Sequence, residues 1–207
     1  MAIHEIFQQF LQGLAQTSWL EFIAVIFGIA SVLYSRKENI LVYPTGIINT
    51  VLYTWFCFGW WGLYAEGSLN FYYTGMSIYG WILWAKKNES NTDKKIHISK
   101  SSRKEWWLAI VFFIICYVLL LFILKNYTKS TVPYADAFAS ASAYTGMLLM
   151  TRKKLENWLW WIITNAASIP LYFIKHAVFT SFQYLVFLIL AAMGYIEWQK
   201  KLKLKNA

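Results

Sequence analysis

Apolar runs alternate with short polar breaks along this chain, in a rhythm set by the thickness of a membrane. A spanning helix needs about 20 mostly apolar residues. Seven stretches qualify, at roughly 18–35, 40–59, 67–85, 106–124, 134–151, 157–175 and 178–198. Ahead of them, Ile3, Ile6, Phe7, Phe10, Leu11 and Leu14 recur at helical spacing, with Gln8, Gln9 and Gln12 elsewhere. That pattern predicts an amphipathic helix over residues 1–17, lying on the membrane surface or extending the first span. The polar segment from Lys86 to Glu105 is the one long connection, and it reads as a solvated loop without chemistry of its own.

The sixth apolar run departs from a plain span. From Trp158 to Pro170 it reads W-L-W-W-I-I-T-N-A-A-S-I-P. On a helix Trp158, Trp161 and Asn165 fall at i, i+3 and i+7, so two indoles and an amide share a face. An amide at membrane depth is costly without a partner and turns towards other helices or a cavity. Pro170 cannot donate to the carbonyl of Ala166, which predicts a kink beside Asn165.

Composition sharpens the class. The 207 residues are 58% hydrophobic and 20% aromatic, with 14% charged, against roughly 25% charged in a soluble domain. The expectation is an all-α integral membrane protein. The net charge of +9 then bears on topology and lipid headgroups rather than on nucleic acid. Cys57 and Cys116 both lie in apolar runs, so a disulfide framework is not expected. The N-terminus lacks a basic n-region, so no cleavable signal peptide is predicted. Sixteen of the 19 basic residues fall in four segments, after the first, third, fifth and seventh spans. The alternate segments hold only Lys125, Lys129 and Lys175. By the positive-inside rule the N-terminus is outside and the C-terminus cytoplasmic.

An internal repeat follows from the same rows. Ser35-Arg36-Lys37 matches Thr151-Arg152-Lys153 at a shift of 116, which also superposes Asn49 on Asn165. Gly80-Trp81-x-x-Trp84 matches Gly194-x-x-x-Trp198 at a shift of 114. Spans one to three therefore recur as spans five to seven. Three is odd, so span four is needed to restore the orientation of the second copy. Seven transmembrane helices in a 3+1+3 parallel-repeat arrangement result, a known transporter plan. The parts are a first repeat over 18–87, a cytoplasmic loop over 88–105, a linker span over 106–124 and a second repeat over 134–201.

Candidate chemistry is a matter of binding. His4, His97 and His176 are scattered, no glycine-rich phosphate loop occurs, and no Ser-His-Asp or Cys-His pattern stands out. Neither an enzyme, nor a metal site, nor a cofactor is expected. Glu21, Glu66, Asp136, Glu156 and Glu197 sit near span ends, as capping or interfacial residues do. Trp60, Trp61, Trp81, Trp84 and Trp198 likewise fit an interfacial aromatic belt. The deep polar groups are neutral. Asn49 and Asn165 should face one another across the repeat axis. Asn70 and Tyr73 share a face of span three, and Gln183 and Tyr184 hold the matching place in span seven. With Tyr53, Trp158 and Trp161 these form the candidate substrate-binding set. Aromatic faces beside amides suit a flat, polar, uncharged or cationic solute. Stacking contributes roughly 1–3 kcal/mol per ring by analogy with nucleobases, and cation–π attraction about 2 when desolvated.

The Trp158-x-x-Trp161-x-x-x-Asn165 run resembles the PnuC transporters, as do the Gly80-Trp81-x-x-Trp84 and Gly194-x-x-x-Trp198 span ends and Tyr43-Pro44-x-Gly46. The similarity covers about residues 18–201. It implies uptake of nicotinamide riboside by facilitated diffusion through the bacterial inner membrane, a 3+1+3 fold related to the SWEETs, and a homotrimer. Val42 and Tyr43 stand where that family often has tryptophan. Relatives carry thiamine or riboflavin, so those flat vitamins are alternative substrates. A membrane scaffold or sensor without transport is the alternative of another class.

Overall fold

The computed structural model describes residues 3–16, 18–61, 64–85, 96–128, 130–175 and 177–205. His176, Lys129 and most of the long polar segment lie outside these. Among the described residues the chain is helical: α1 (Ile3–Gln16), α2 (Trp19–Arg36), α3 (Val42–Phe56), α4 (Tyr64–Ala85), α5 (Arg103–Tyr127), α6 (Pro133–Thr151), α7 (Asn157–Ile174) and α8 (Val178–Lys205). A π-helical turn, Cys57–Trp61, prolongs α3. Every apolar run named above holds one of these helices. Three of them, α2, α5 and α8 as far as Leu204, are long and apolar enough to cross a membrane by length and composition alone. Helices α3, α4, α6 and α7 hold tyrosine, tryptophan and small polar residues among their apolar ones.

Local signals set several helix ends. Ser18 accepts from the amide of Glu21 at 3.2 Å, and the Glu21 carboxylate accepts from the Ser18 amide at 2.8 Å. This capping box separates α2 from α1. A second one, Ser102 with Glu105, starts α5. Helix α1 is amphipathic as its pattern requires. Phe10 packs its ring against Phe179 and Phe182 of α8 at 5.6 and 5.5 Å, while Phe7, Leu11 and Leu14 stay exposed.

Two groups of helices pack side by side. Helix α3 lies between α2 and α4, and α7 lies between α6 and α8. Contacts of α4 with α6 and of α2 with α8 join the groups, and α5 rests on α6. Helix α6 is the most enclosed. Ala137, Ala139, Ala141, Ser142, Ala143, Thr145 and Gly146 are all buried, and small residues let neighbouring helix backbones approach closely. Helix α5 does the opposite, exposing Trp107, Leu108, Val111, Ile114, Ile115, Val118, Leu119 and Phe122, the surface a lipid-facing helix presents.

Three sequence expectations are corrected here. The connection before α5 is not simply solvated. Ser99 exchanges backbone hydrogen bonds with the turn after α6, its amide donating to Lys153 at 3.1 Å and its carbonyl accepting from Leu155 at 2.9 Å. Ile98 is 7% exposed and packs into the cluster of Leu155, Trp158, Ala191 and Trp198. An apolar residue in a polar segment had a place to go. Second, Trp84 and Trp198 are not lipid-facing belt residues. Trp198 is fully buried and Trp84 half-buried, whereas Trp81 is 40% exposed as a belt residue should be. Third, α8 runs on to Lys205, because the basic tail continues the helix beyond the apolar run.

Candidate functional site

Helix α7 carries the centre of the site and runs without interruption through Pro170. On α8, the Ser181 hydroxyl donates to the carbonyl of Ile169 at 2.8 Å, just before that proline. One and a half turns earlier stands Asn165, 4% exposed. It makes no side-chain hydrogen bond to any described residue. Its amide atoms are not among the fully enclosed side-chain atoms without a partner, which in this helix are Asn157 Oδ1, Thr164 Oγ1 and the indole nitrogens of Trp158 and Trp160 among the described residues.

Rings from both helix groups gather near it. Trp161, one turn from Asn165, meets Tyr73 of α4 at 6.2 Å and 47°. Tyr73 in turn lies 6.3 Å from Tyr144 of α6 at 84°. Tyr72 lies 4.3 Å from Tyr144 and donates to its backbone carbonyl at 3.3 Å. Trp161 packs against both of the main core clusters, so it lies where the two groups meet. Gly146 of α6 makes room for it, since a Cβ there would come within 3.3 Å of the Trp161 ring. Tyr184 of α8 stacks on Tyr172 at 5.0 Å and 14°. Tyr72, Tyr73, Tyr144 and Trp161 thus form one aromatic cluster where α4, α6 and α7 meet, with Asn165 one turn from Trp161.

Other members of the candidate set serve elsewhere or stand apart. The Asn49 amide nitrogen donates to the carbonyl of Ala24 on α2 at 2.7 Å, against Gly28, where a Cβ would come within 2.9 Å of it. Asn49 thus ties α3 to α2, while its superposed partner Asn165 holds no protein contact of that kind. Trp158 is 2% exposed and meets Trp198 edge-on at 5.5 Å and 90°, in core packing at the basic end. Gly194 allows this, because a Cβ on it would sit 2.6 Å from the Trp158 ring. Asn70 is half-buried, with its carbonyl accepting from Thr74 at 3.0 Å, and Thr74 pairs with Thr50 at 2.8 Å. Gln183 is half-buried beside Tyr184. Tyr144 and Tyr72 were not singled out from sequence. The signal available for Tyr144 was a lone tyrosine in an otherwise small-residue stretch of α6.

A separate cleft of about 340 Å³ opens at the end of the bundle that carries the basic residues, lined by Glu38, Ile40, Trp84, Ile96, His97 and Lys153.

A helical bundle with three helices long and apolar enough to cross a membrane, and an aromatic cluster where its two helix groups meet, is the build of a polytopic membrane protein. The chain belongs to the nicotinamide mononucleotide transporter family, whose model matches residues 18–200. Among curated proteins it is 26% identical over 204 residues to the nicotinamide riboside transporter PnuC of Escherichia coli (strain K12), covering 87% of this chain and 85% of that one. It is 24% identical to the PnuC of Neisseria mucosa, over 90% of this chain and 74% of the relative. A riboflavin/roseoflavin transporter, RibM of Streptomyces davaonensis, is 19% identical over 87% and 84% of the two chains. The fold matches a crystal structure of the vitamin B3 transporter PnuC with a TM-score of 0.74, at 23% identity, over 96% of this chain and 88% of that one.

Proposed function

We propose that this protein carries nicotinamide riboside across the inner membrane by facilitated diffusion, through seven spans, α2 to α8, in a 3+1+3 arrangement. The observation that carries the reading is the meeting of Trp161 on α7 with Tyr73 on α4 where the two helix groups join, 6.2 Å between rings, with Asn165 one turn from Trp161. Nicotinamide riboside joins a cationic pyridinium ring to a carboxamide and a ribose. The pyridinium stacks on Trp161, which supplies a cation–π attraction of about 2 kcal/mol in a desolvated site. Its carboxamide pairs with the Asn165 amide, each giving one donor and one acceptor. Tyr73 closes one wall. The basic end faces the cytoplasm, so a cysteine at Ser90 reacts with an impermeant thiol reagent in inside-out vesicles and not in right-side-out ones.

The test is uptake of labelled nicotinamide riboside by liposomes holding the purified protein, with thiamine and riboflavin as competitors. Nicotinamide riboside is expected to enter, and neither competitor to slow it at equal concentration. Entry of labelled riboflavin in its place would favour the RibM-like reading. Titration calorimetry then locates the site. Asn165→Leu and Trp161→Ala each weaken binding roughly ten-fold or more, the worth of about 1.4 kcal/mol. Unchanged dissociation constants for both variants would move the site away from α7.

A further inference from the structure

At the basic end the two helix groups are tied by a reciprocal pair of bonds. The Trp84 indole N–H, from the last turn of α4, donates to the carbonyl of Thr151, the last residue of α6, at 3.1 Å. The Trp198 indole N–H, on α8, donates to the carbonyls of Ser35 and Arg36, the last residues of α2, both at 3.1 Å. Ser35 and Thr151 occupy matched positions in the repeat, as do Trp84 and Trp198. So the third helix of each half reaches across to the end of the first helix of the other. The carbonyls it finds there are ones a helix C-terminus leaves without an intrahelical partner. Packing copies the exchange. Trp84 stands edge-on to Tyr43 at 5.1 Å and 86°, and Trp198 edge-on to Trp158 at 5.5 Å and 90°.

Charges lock the same junction. Arg36 pairs with Glu197, and Lys153 with Glu38 at 2.7 Å. The Lys153 ammonium also lies 4.3 Å above the Trp84 ring. Glu38 and Lys153 are the two positive-φ non-glycine residues among those described, at 60° and 51°. Long side chains held in that region store strain and mark places where the surroundings dictate the backbone. Here each strained residue is the other's ion partner. At the far end, Lys175 pairs with Asp136 at 2.6 Å and the Ser130 hydroxyl donates to Asp136 at 2.5 Å, both within the second group.

We propose that this crossed pair of indole-to-carbonyl bonds is the gate of the transporter at its basic end, with Trp84 and Trp198 as its positioning residues and the Glu38–Lys153 pair as its strained clasp. The gate is closed in this structure, and solute leaves on that side only after both bonds part. The proposal rests on the transport reading, and its test separates the two.

The reporter is a cysteine at Met147, 5% exposed and packed in the cluster beside Tyr43, in a background with Cys57 and Cys116 replaced by alanine. Trp84→Phe and Trp198→Phe keep a ring in place and remove the donor. Each raises the labelling rate of the Met147 cysteine from the basic side about five-fold, the shift in an opening equilibrium that loss of one net hydrogen bond of about 1 kcal/mol produces. The pair raises it by about the product of the two. Trp81→Phe leaves it unchanged. Labelling needs no substrate, so it reports on the gate even if nicotinamide riboside is not carried. A rate unaffected in both variants, or raised equally from the two sides of the membrane, overturns the gate. A second arm does not depend on those variants folding. Glu38→Cys and Lys153→Cys joined by a flexible bis-maleimide are expected to stop flux while substrate still binds from the far side. Flux that continues at the rate of the unjoined protein overturns the proposal.

Discussion

Asn49 and Asn165 show how one residue type at superposed positions is put to two uses. Asn49 gives its amide nitrogen to a backbone carbonyl of α2, 2.7 Å away. Asn165 is more deeply buried yet bonds to no described side chain or backbone group. Their stabilities therefore respond differently to the same substitution. Asn49→Leu removes an interhelical hydrogen bond, worth about 1 kcal/mol between membrane helices, and puts a branched side chain against Gly28. Asn165→Leu removes no protein hydrogen bond among the described residues and adds apolar surface to a site that is 4% exposed. Thermal unfolding in detergent without ligand is expected to show Asn49→Leu melting below the parent and Asn165→Leu melting at or above it. Added nicotinamide riboside raises the melting temperature of the parent by binding only the folded state, and fails to raise that of Asn165→Leu. A large loss of unliganded stability in Asn165→Leu would make Asn165 a packing residue. From sequence the two asparagines were equal. Neither spacing nor hydropathy says which of them has a carbonyl within reach, since Ala24 lies 25 residues from Asn49 along the chain.

Among the elements, the strap from Ile96 to Ser102 was the least legible. It is short, polar and Ser-rich, and it binds by tertiary contacts that no periodicity records. Glu156, at the start of α7, is 8% exposed and accepts from the amide and the hydroxyl of Ser101, at 2.8 and 2.7 Å. These charge-assisted bonds and the burial of Ile98 hold the strap over the Trp158–Trp198 packing. Glu156→Ala leaves the Ser101 amide without its acceptor, at a cost of about 1–3 kcal/mol. Hydrogen exchange is expected to quicken at Ser99, Ser101 and Leu155 while the amides of mid-α7 keep their protection. Glu156→Gln, which still accepts a hydrogen bond, keeps part of the effect. Exchange that is unchanged at Ser99 would mean that Ile98 and the backbone bonds of Ser99 to Lys153 and Leu155 anchor the strap without Glu156. The helices themselves were legible because membrane length and hydropathy are local properties. Trp84 and Trp198 were misread for the converse reason. At a helix end near basic residues, an indole that faces lipid and one that bonds another helix have the same local sequence. The acceptors lie 67 and 163 residues away.

For the molecule as a whole, the disposition of charge bears on how transport is driven. Among the described residues the ion pairs Lys153–Glu38, Lys201–Glu38, Lys154–Glu105 and Lys175–Asp136 join residues at helix ends or in turns, and Arg36–Glu197 joins the end of α2 to α8 about two turns before its end. Around Trp161 and Asn165 the described groups are tyrosines, an indole and an amide. A driving proton is usually carried by a carboxylate or histidine near the substrate, and none of the described groups packed around Trp161 is one. We propose on that ground that the carrier is uncoupled and moves solute in either direction down its gradient. In the cell, net uptake then depends on a reaction that consumes the solute inside, most simply one that adds charge the neutral site cannot accommodate. Liposomes loaded with no trapping enzyme are expected to equalise internal and external nicotinamide riboside with no ion gradient, at a rate that an imposed proton or sodium gradient does not change. Preloaded liposomes should exchange label at least as fast as empty ones fill. Accumulation above the external concentration that collapses with an ionophore would refute the uncoupled carrier. It would direct attention to the acidic residues near span ends, Glu21, Asp136 and Glu197, as candidates for the group that couples the ion.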